Sequence, residues 1–185
     1  TGLFSLGTDS IQKPTEFGST AVIWIVQSLL GKASQETAEV AIQAISIACG
    51  VVSLALFRLI ALRIGNTPAT RVLSFGVLVG GGWMLLFFGY IEYYPLLWVA
   101  ALAFIWTSLR FLHCGRGFMW VFLCFVAACL MHLQAAYFVG GLLYLTAVRM
   151  KLSPATMNRY SWPVMLVGIA AVLATVAWLY QRDVS

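Results

Sequence analysis

GFMWVFLCFVAACLMHLQAAYFVGGLLYLTAVRM, residues 117–150, is a nearly unbroken apolar run interrupted near its middle by Met131-His132-Leu133-Gln134. As a single helix it would be about 50 Å long at 1.5 Å per residue, against a hydrocarbon core of about 30 Å. It is too long for one crossing, and it reads as two short spans that turn at the polar pair. Polar groups left against lipid lack partners, so His132 and Gln134 are expected to face protein or water. A hydrogen bond between helices accounts for them; the alternative is a place in a lipid-headgroup or substrate site.

The whole chain has the same character. Of its 185 residues, 62% are hydrophobic and 9% charged, and the mean hydropathy is +0.93. A soluble domain carries roughly a quarter charged residues, and a globule of this length exposes too much surface for so few polar side chains to cover. The fold class expected is therefore all-α: a polytopic transmembrane helical bundle of about six spans plus a short interfacial helix. The net charge of +5 sits in small basic clusters between apolar runs, which suits membrane topology and not nucleic-acid binding. Cys49, Cys114, Cys124 and Cys129 have no metal-ligand spacing, and all but Cys114 lie inside apolar runs as small packing residues.

Outward from the quoted run, the spans follow from length and caps. Ser19 to Leu30 is apolar but short of the ~20 residues needed to cross, so it is expected to lie at the interface. A full span runs from about Glu36 to Ile64, with Glu36 and Glu39 expected in its first turn, where acids complement the helix dipole, and Gly65 after it. A third begins at Thr67-Pro68 and runs to about Phe88; a fourth begins at Pro95 or a turn earlier and ends near His113. The last is apolar from Trp162 to Tyr180. Gly76, Gly80, Gly81 and Gly82, and Gly140-Gly141, read as close helix packing. The domain reading is one membrane domain over 1–185, with 1–35 as an outer loop and interfacial helix and 36–181 as the bundle. The polar opening, TGLFSLGTDSIQKPTEF from Thr1, predicts that the chain is part of a longer one.

Lys and Arg are retained on the cytoplasmic side. Arg58, Arg63 and Arg71 surround one connection, Arg110 and Arg116 another, and Arg149, Lys151 and Arg159 a third. Gly89–Pro95 and the His132/Gln134 region carry none and belong outside. The alternation closes only if residues 117–150 cross twice.

Glu92 is the only acid between Glu39 and Asp183, set in FFGYIEYYP and flanked by Tyr90, Tyr93 and Tyr94. A lone ionisable group near membrane depth marks a functional site, while a solvated loop acid beside an aromatic belt is the alternative. Asp9 and Glu16 lie in the polar opening on the same predicted outer side; one reading joins one of them to Glu92 as a second carboxylate for acid/base or metal work, and the alternative is that both are ordinary loop acids. No HExxH, GxSxG, Walker or CxxC motif is present.

FFGYIEYYP resembles the FGYxExY-type stretch in the second outer loop of many polyprenyl-phosphate-dependent membrane glycosyltransferases of the GT-C class, in the bacterial branch related to protein mannosyltransferases. The order of features is similar too: an outer acidic segment, a short interfacial helix, long spans with an outer Glu, then a broken pair of spans with a polar residue at the break. The resemblance covers residues 1–150. It implies a multi-pass protein of the bacterial inner membrane that transfers a sugar, with inversion, from a polyprenyl-phosphate-linked donor at the outer face. It implies Asp9 as first-loop base or substrate-binding carboxylate and Glu92 as the second-loop acid that holds the donor phosphate or a divalent metal ion such as Mg or Mn. Tyr90, Tyr93, Tyr94, His132 and Gln134 are the substrate-binding candidates. Membrane lipid and the lipid-linked sugar are the expected partners; oligomeric state is not legible. The competing reading is a non-catalytic membrane subunit or transporter-like bundle in which Glu92 and His132 are packing or proton-linked groups.

Overall fold

A computed structural model describes residues 16–31, 34–81 and 94–152. Asp9, Tyr90, Glu92, Tyr93, the far half of the third segment and the segment after residue 152 lie outside the described residues. Those described are all helical. In order they form α1 (Phe17–Leu30), α2 (Gln35–Ile64), α3 (Pro68–Val79), α4 (Tyr94–Cys114), α5 (Phe118–Met131), a 3-10 turn (Leu133–Phe138) and α6 (Val139–Leu152).

Local chemistry sets these ends. Ser34 caps α2 and Thr67 caps α3, each exchanging hydrogen bonds with a threonine three residues on, Thr37 and Thr70, to satisfy the first free N–H groups. Pro68 follows at a position whose missing N–H costs nothing. Of the two acids expected near the start of α2, Glu36 is the one in its first turn. Gly65 ends α2, and its absent side chain matters: a Cβ there would meet the Arg71 backbone at 2.6 Å. Gly115 and Gly117 take left-handed backbone, with φ of 65° and 87°, in the tight connection from α4 to α5.

Two helices, Glu36–Ile64 and Tyr94–Cys114, are long and apolar enough to cross a membrane. The six spans expected are not supported: α1, α3, α5 and α6 are shorter, and the segment after residue 152 is outside the described residues. The third segment stops as a helix at Val79, with Gly80 as its C-cap. Among the described residues, a Cβ on Gly76 would meet nothing within 4 Å, and one on Gly80 would meet only the Gly76 carbonyl of its own helix, so the described helices supply no packing partner for this pair. Val72, Leu73 and Val77 on the same helix are largely exposed. Of the Gly140-Gly141 pair, Gly141 alone approaches a neighbour, the Phe104 ring.

The run 117–150 is broken as expected. His132 has extended backbone, φ −158° and ψ 129°, between α5 and the 3-10 turn. The chain doubles back there, since the Arg149 guanidinium near the end of α6 lies 5.0 Å from the ring centre of Phe118, the first residue of α5. Between these points the hairpin packs on α4 through Phe104, Phe111, Phe118, Val121, Phe122, Phe125, Leu142 and Leu145. A second cluster, Leu56, Phe57, Ile60 and Leu102, joins α2 to α4.

Contacts at the helix termini sort the bundle into two ends. Arg63 at the end of α2 lies beside Cys114 at the end of α4, and Arg149 returns to Phe118. These ends therefore gather Arg63, Arg71, Arg110, Arg116 and Arg149. The opposite end gathers the start of α1, the start of α4 and the break at His132.

Candidate functional site

The break in the hairpin builds the site. His132 N–H closes α5 on the Ala128 carbonyl, and the His132 carbonyl accepts from Ala135 N–H as the 3-10 turn begins. Its Nδ1 accepts from the Gln134 backbone N–H at 3.1 Å. In neutral imidazole the proton therefore sits on Nε2, which faces Glu16 Oε1 at 3.6 Å. That spacing is longer than a hydrogen bond, so the neutral ring and the carboxylate are in polar contact only. Both side chains are well covered, at 7% exposed for His132 and 12% for Glu16. Tyr94 stacks on the imidazole, with ring centres 5.5 Å apart and planes at 25°.

Glu16 reaches this position because α1 docks on the hairpin. Ser19 Oγ donates to the Met131 carbonyl at 3.0 Å, and Gly18 sits so close to Leu130 that a Cβ would collide with its carbonyl oxygen. Glu16 is the N-cap of α1, but its carboxylate makes no cap hydrogen bond and so remains turned to His132. The helix dipole favours a negative charge at that place. With its Nδ1 taken by the Gln134 N–H and its Nε2 facing Glu16, the imidazole lies beside the carboxylate. The second carboxylate oxygen is the group left for an acceptor proton or a cation.

The candidates read from sequence separate clearly. His132 and Tyr94 are brought together. Gln134 contributes through its backbone N–H, while its side chain is exposed. Of the two N-terminal acids weighed, Glu16 is the one seen at the site, and Asp9 lies outside the described residues, as do Glu92, Tyr90 and Tyr93. Sequence reasoning missed Gly18 and Ser19; the signal was two adjacent small residues, two and three positions after Glu16, which permit close helix approach. Tyr137, 89% exposed on the 3-10 turn, was also missed.

Among the described residues no group of three His, Cys, Asp or Glu side chains converges to hold a metal ion. Glu16 supplies one carboxylate donor that suits Mg or Mn, whereas the imidazole, with its Nδ1 lone pair taken by the Gln134 N–H, offers none in this arrangement. Comparison of the chain with protein-family models, curated proteins and solved structures returns no match.

Proposed function

We propose that this chain is part of a multi-pass membrane glycosyltransferase of the GT-C type, in the bacterial inner membrane. In this reading it takes a sugar from a polyprenyl-phosphate donor at the outer face. The observation that carries the reading is the buried Glu16–His132 contact under Tyr94, at the end opposite the arginines. The arginine-rich ends then face the cytoplasm, and the hairpin and the helices on either side of it make up the about six spans.

In this mechanism a carboxylate takes the proton of an acceptor hydroxyl as its oxygen attacks the anomeric carbon. The bond from that carbon to the phosphate oxygen breaks, and polyprenyl phosphate leaves with the electron pair. Glu16, next to His132, is the first-loop carboxylate beside or in place of Asp9, and Glu92 binds the donor phosphate. A divalent metal would be held by Glu92 with Glu16, and would neutralise charge on that phosphate. Tyr90, Tyr93, Tyr94 and the exposed Gln134 line the sugar and phosphate path.

The test is glycosyl transfer by the full-length parent protein with a polyprenyl-phosphate sugar. Glu92→Gln and Glu16→Gln are each expected to cut the rate about 100-fold, as for loss of one positioned catalytic group, with Glu92→Gln leaving the melting temperature unchanged. Full activity in both variants would overturn the enzyme reading. One feature favours a non-catalytic bundle: Gly18 and Ser19 clamp α1 to the hairpin, so Glu16 and His132 could serve that joint alone. Under that alternative Glu16→Gln lowers the melting temperature and Glu92→Gln does nothing.

A further inference from the structure

At the arginine-rich end, α2, α3 and α4 enclose a cleft of about 330 Å³ lined by Leu59, Leu62, Arg63, Arg71 and Trp106. Its two walls are chemically distinct. Leu59, Leu62 and the Trp106 ring are apolar, whereas Arg63 comes from the last turn of α2 and Arg71 from the first turns of α3. Arg71 is held in place: its Nε donates to the Gly65 carbonyl at 3.0 Å, which leaves its two terminal nitrogens for a ligand. Arg110 lies alongside, with its guanidinium 5.9 Å from the centre of the Trp106 ring. The acids among the described residues with described side chains are Glu16, Glu36 and Glu39, at the starts of α1 and α2, so no described carboxylate neutralises this cleft.

We propose that the cleft binds the phosphate headgroup of an anionic phospholipid. Paired guanidinium groups match phosphate oxygens bidentately, and a tryptophan ring suits the headgroup level of a bilayer. The acyl chains follow the apolar surface that leaves the cleft, over Leu62 on α2 and over Val72 and Leu73 on α3, all exposed. A basic pocket between spanning helices recognises acidic headgroups on the cytoplasmic side, where such lipids give the surface its negative potential. The proposal rests on the membrane embedding inferred above and not on glycosyl transfer.

The experiment is mass spectrometry of the intact chain released from nanodiscs of phosphatidylglycerol and phosphatidylcholine in equal amounts. The wild-type chain is expected to retain phosphatidylglycerol over phosphatidylcholine by about fivefold for each arginine engaged. Arg63→Gln/Arg71→Gln should abolish that preference, while Arg63→Lys/Arg71→Lys keeps the charge without the fork and retains part of it. The charge-matched control Arg58→Gln/Arg116→Gln, which removes two positive charges outside the cleft, should leave the preference in place. Equal loss in that control would overturn the site in favour of diffuse surface charge. Displacement of the lipid by excess inorganic phosphate would overturn it in favour of a free-anion site. A chain that does not enter nanodiscs would overturn the membrane reading itself, an outcome distinct from entry without lipid preference.

Discussion

At the end of the bundle where α4 begins, one carboxylate and one imidazole face each other with side chains 12% and 7% exposed. At the end where α4 stops, Arg63, Arg71, Arg110, Arg116 and Arg149 gather without a described carboxylate partner, and Arg71, Arg110 and Arg116 are exposed. The same property, charge, does different work in the two places. Buried charge needs its partner, because removing one member strands the other in a medium that cannot solvate it. Exposed charge keeps its water, contributes little to stability, and serves orientation and ligand capture.

The largest expected effect tests that contrast directly. Glu16→Lys puts an ammonium group without a counter-charge into a covered site and should cost about 3–5 kcal/mol, the range for an uncompensated buried charge. Arg116→Glu, an equal change of charge at the exposed end, should stay within about 0.5 kcal/mol. Both are read from reversible unfolding of the chain in detergent micelles. Equal losses would remove the distinction between the ends. A double-mutant cycle with Glu16→Gln and His132→Asn sharpens it, since a coupling energy near zero would mean that the contact at 3.6 Å carries no stability.

Next in size is the seam that holds α1 in place. Gly18→Ala drives a methyl group into the Leu130 carbonyl and should cost about 1–3 kcal/mol, as overpacking does. Gly76→Ala, on a helix with open space at that position, should be neutral or gain up to about 1 kcal/mol from helix propensity. The two substitutions are chemically identical, so a common result would mean that α1 is not docked on the hairpin.

The parts of this fold legible in the sequence were those set by local chemistry or by length. Thr67-Pro68 marks a helix start by itself, Gly65 marks a stop, and a 34-residue apolar run exceeds any single crossing. The sorting of arginines to one end was also legible, because it is written in loop composition. What the sequence left open depended on partners far apart in the chain. Nothing near Asp9 or Glu16 says which acid meets His132, since that contact is made between residues 116 positions apart. It is settled by a small-residue seam at Gly18 and Ser19 that only a docked helix reveals. The glycines of α3 failed in the opposite direction: their spacing resembled a packing motif, yet no described helix approaches Gly76.

The smallest expected effect lies back at the arginine-rich end, where Arg149 covers the Phe118 ring at 5.0 Å and closes the hairpin. A cation over an aromatic face is worth about 0.5–1 kcal/mol when partly exposed. Arg149→Gln should therefore lower stability by that amount, and Arg149→Lys by less, because an ammonium retains the charge but not the flat stacking surface. Salt separates this contact from an ordinary ion pair. The exposed arginines act through long-range fields that fall off over about 8 Å at physiological ionic strength, whereas a cation seated on a ring is in direct contact and is screened much less. The difference between wild type and Arg149→Gln should thus persist when salt is raised in the unfolding assay. A difference that vanishes with salt would make Arg149 one more member of the exposed basic cluster, and the hairpin would then be closed by its phenylalanine and leucine packing alone.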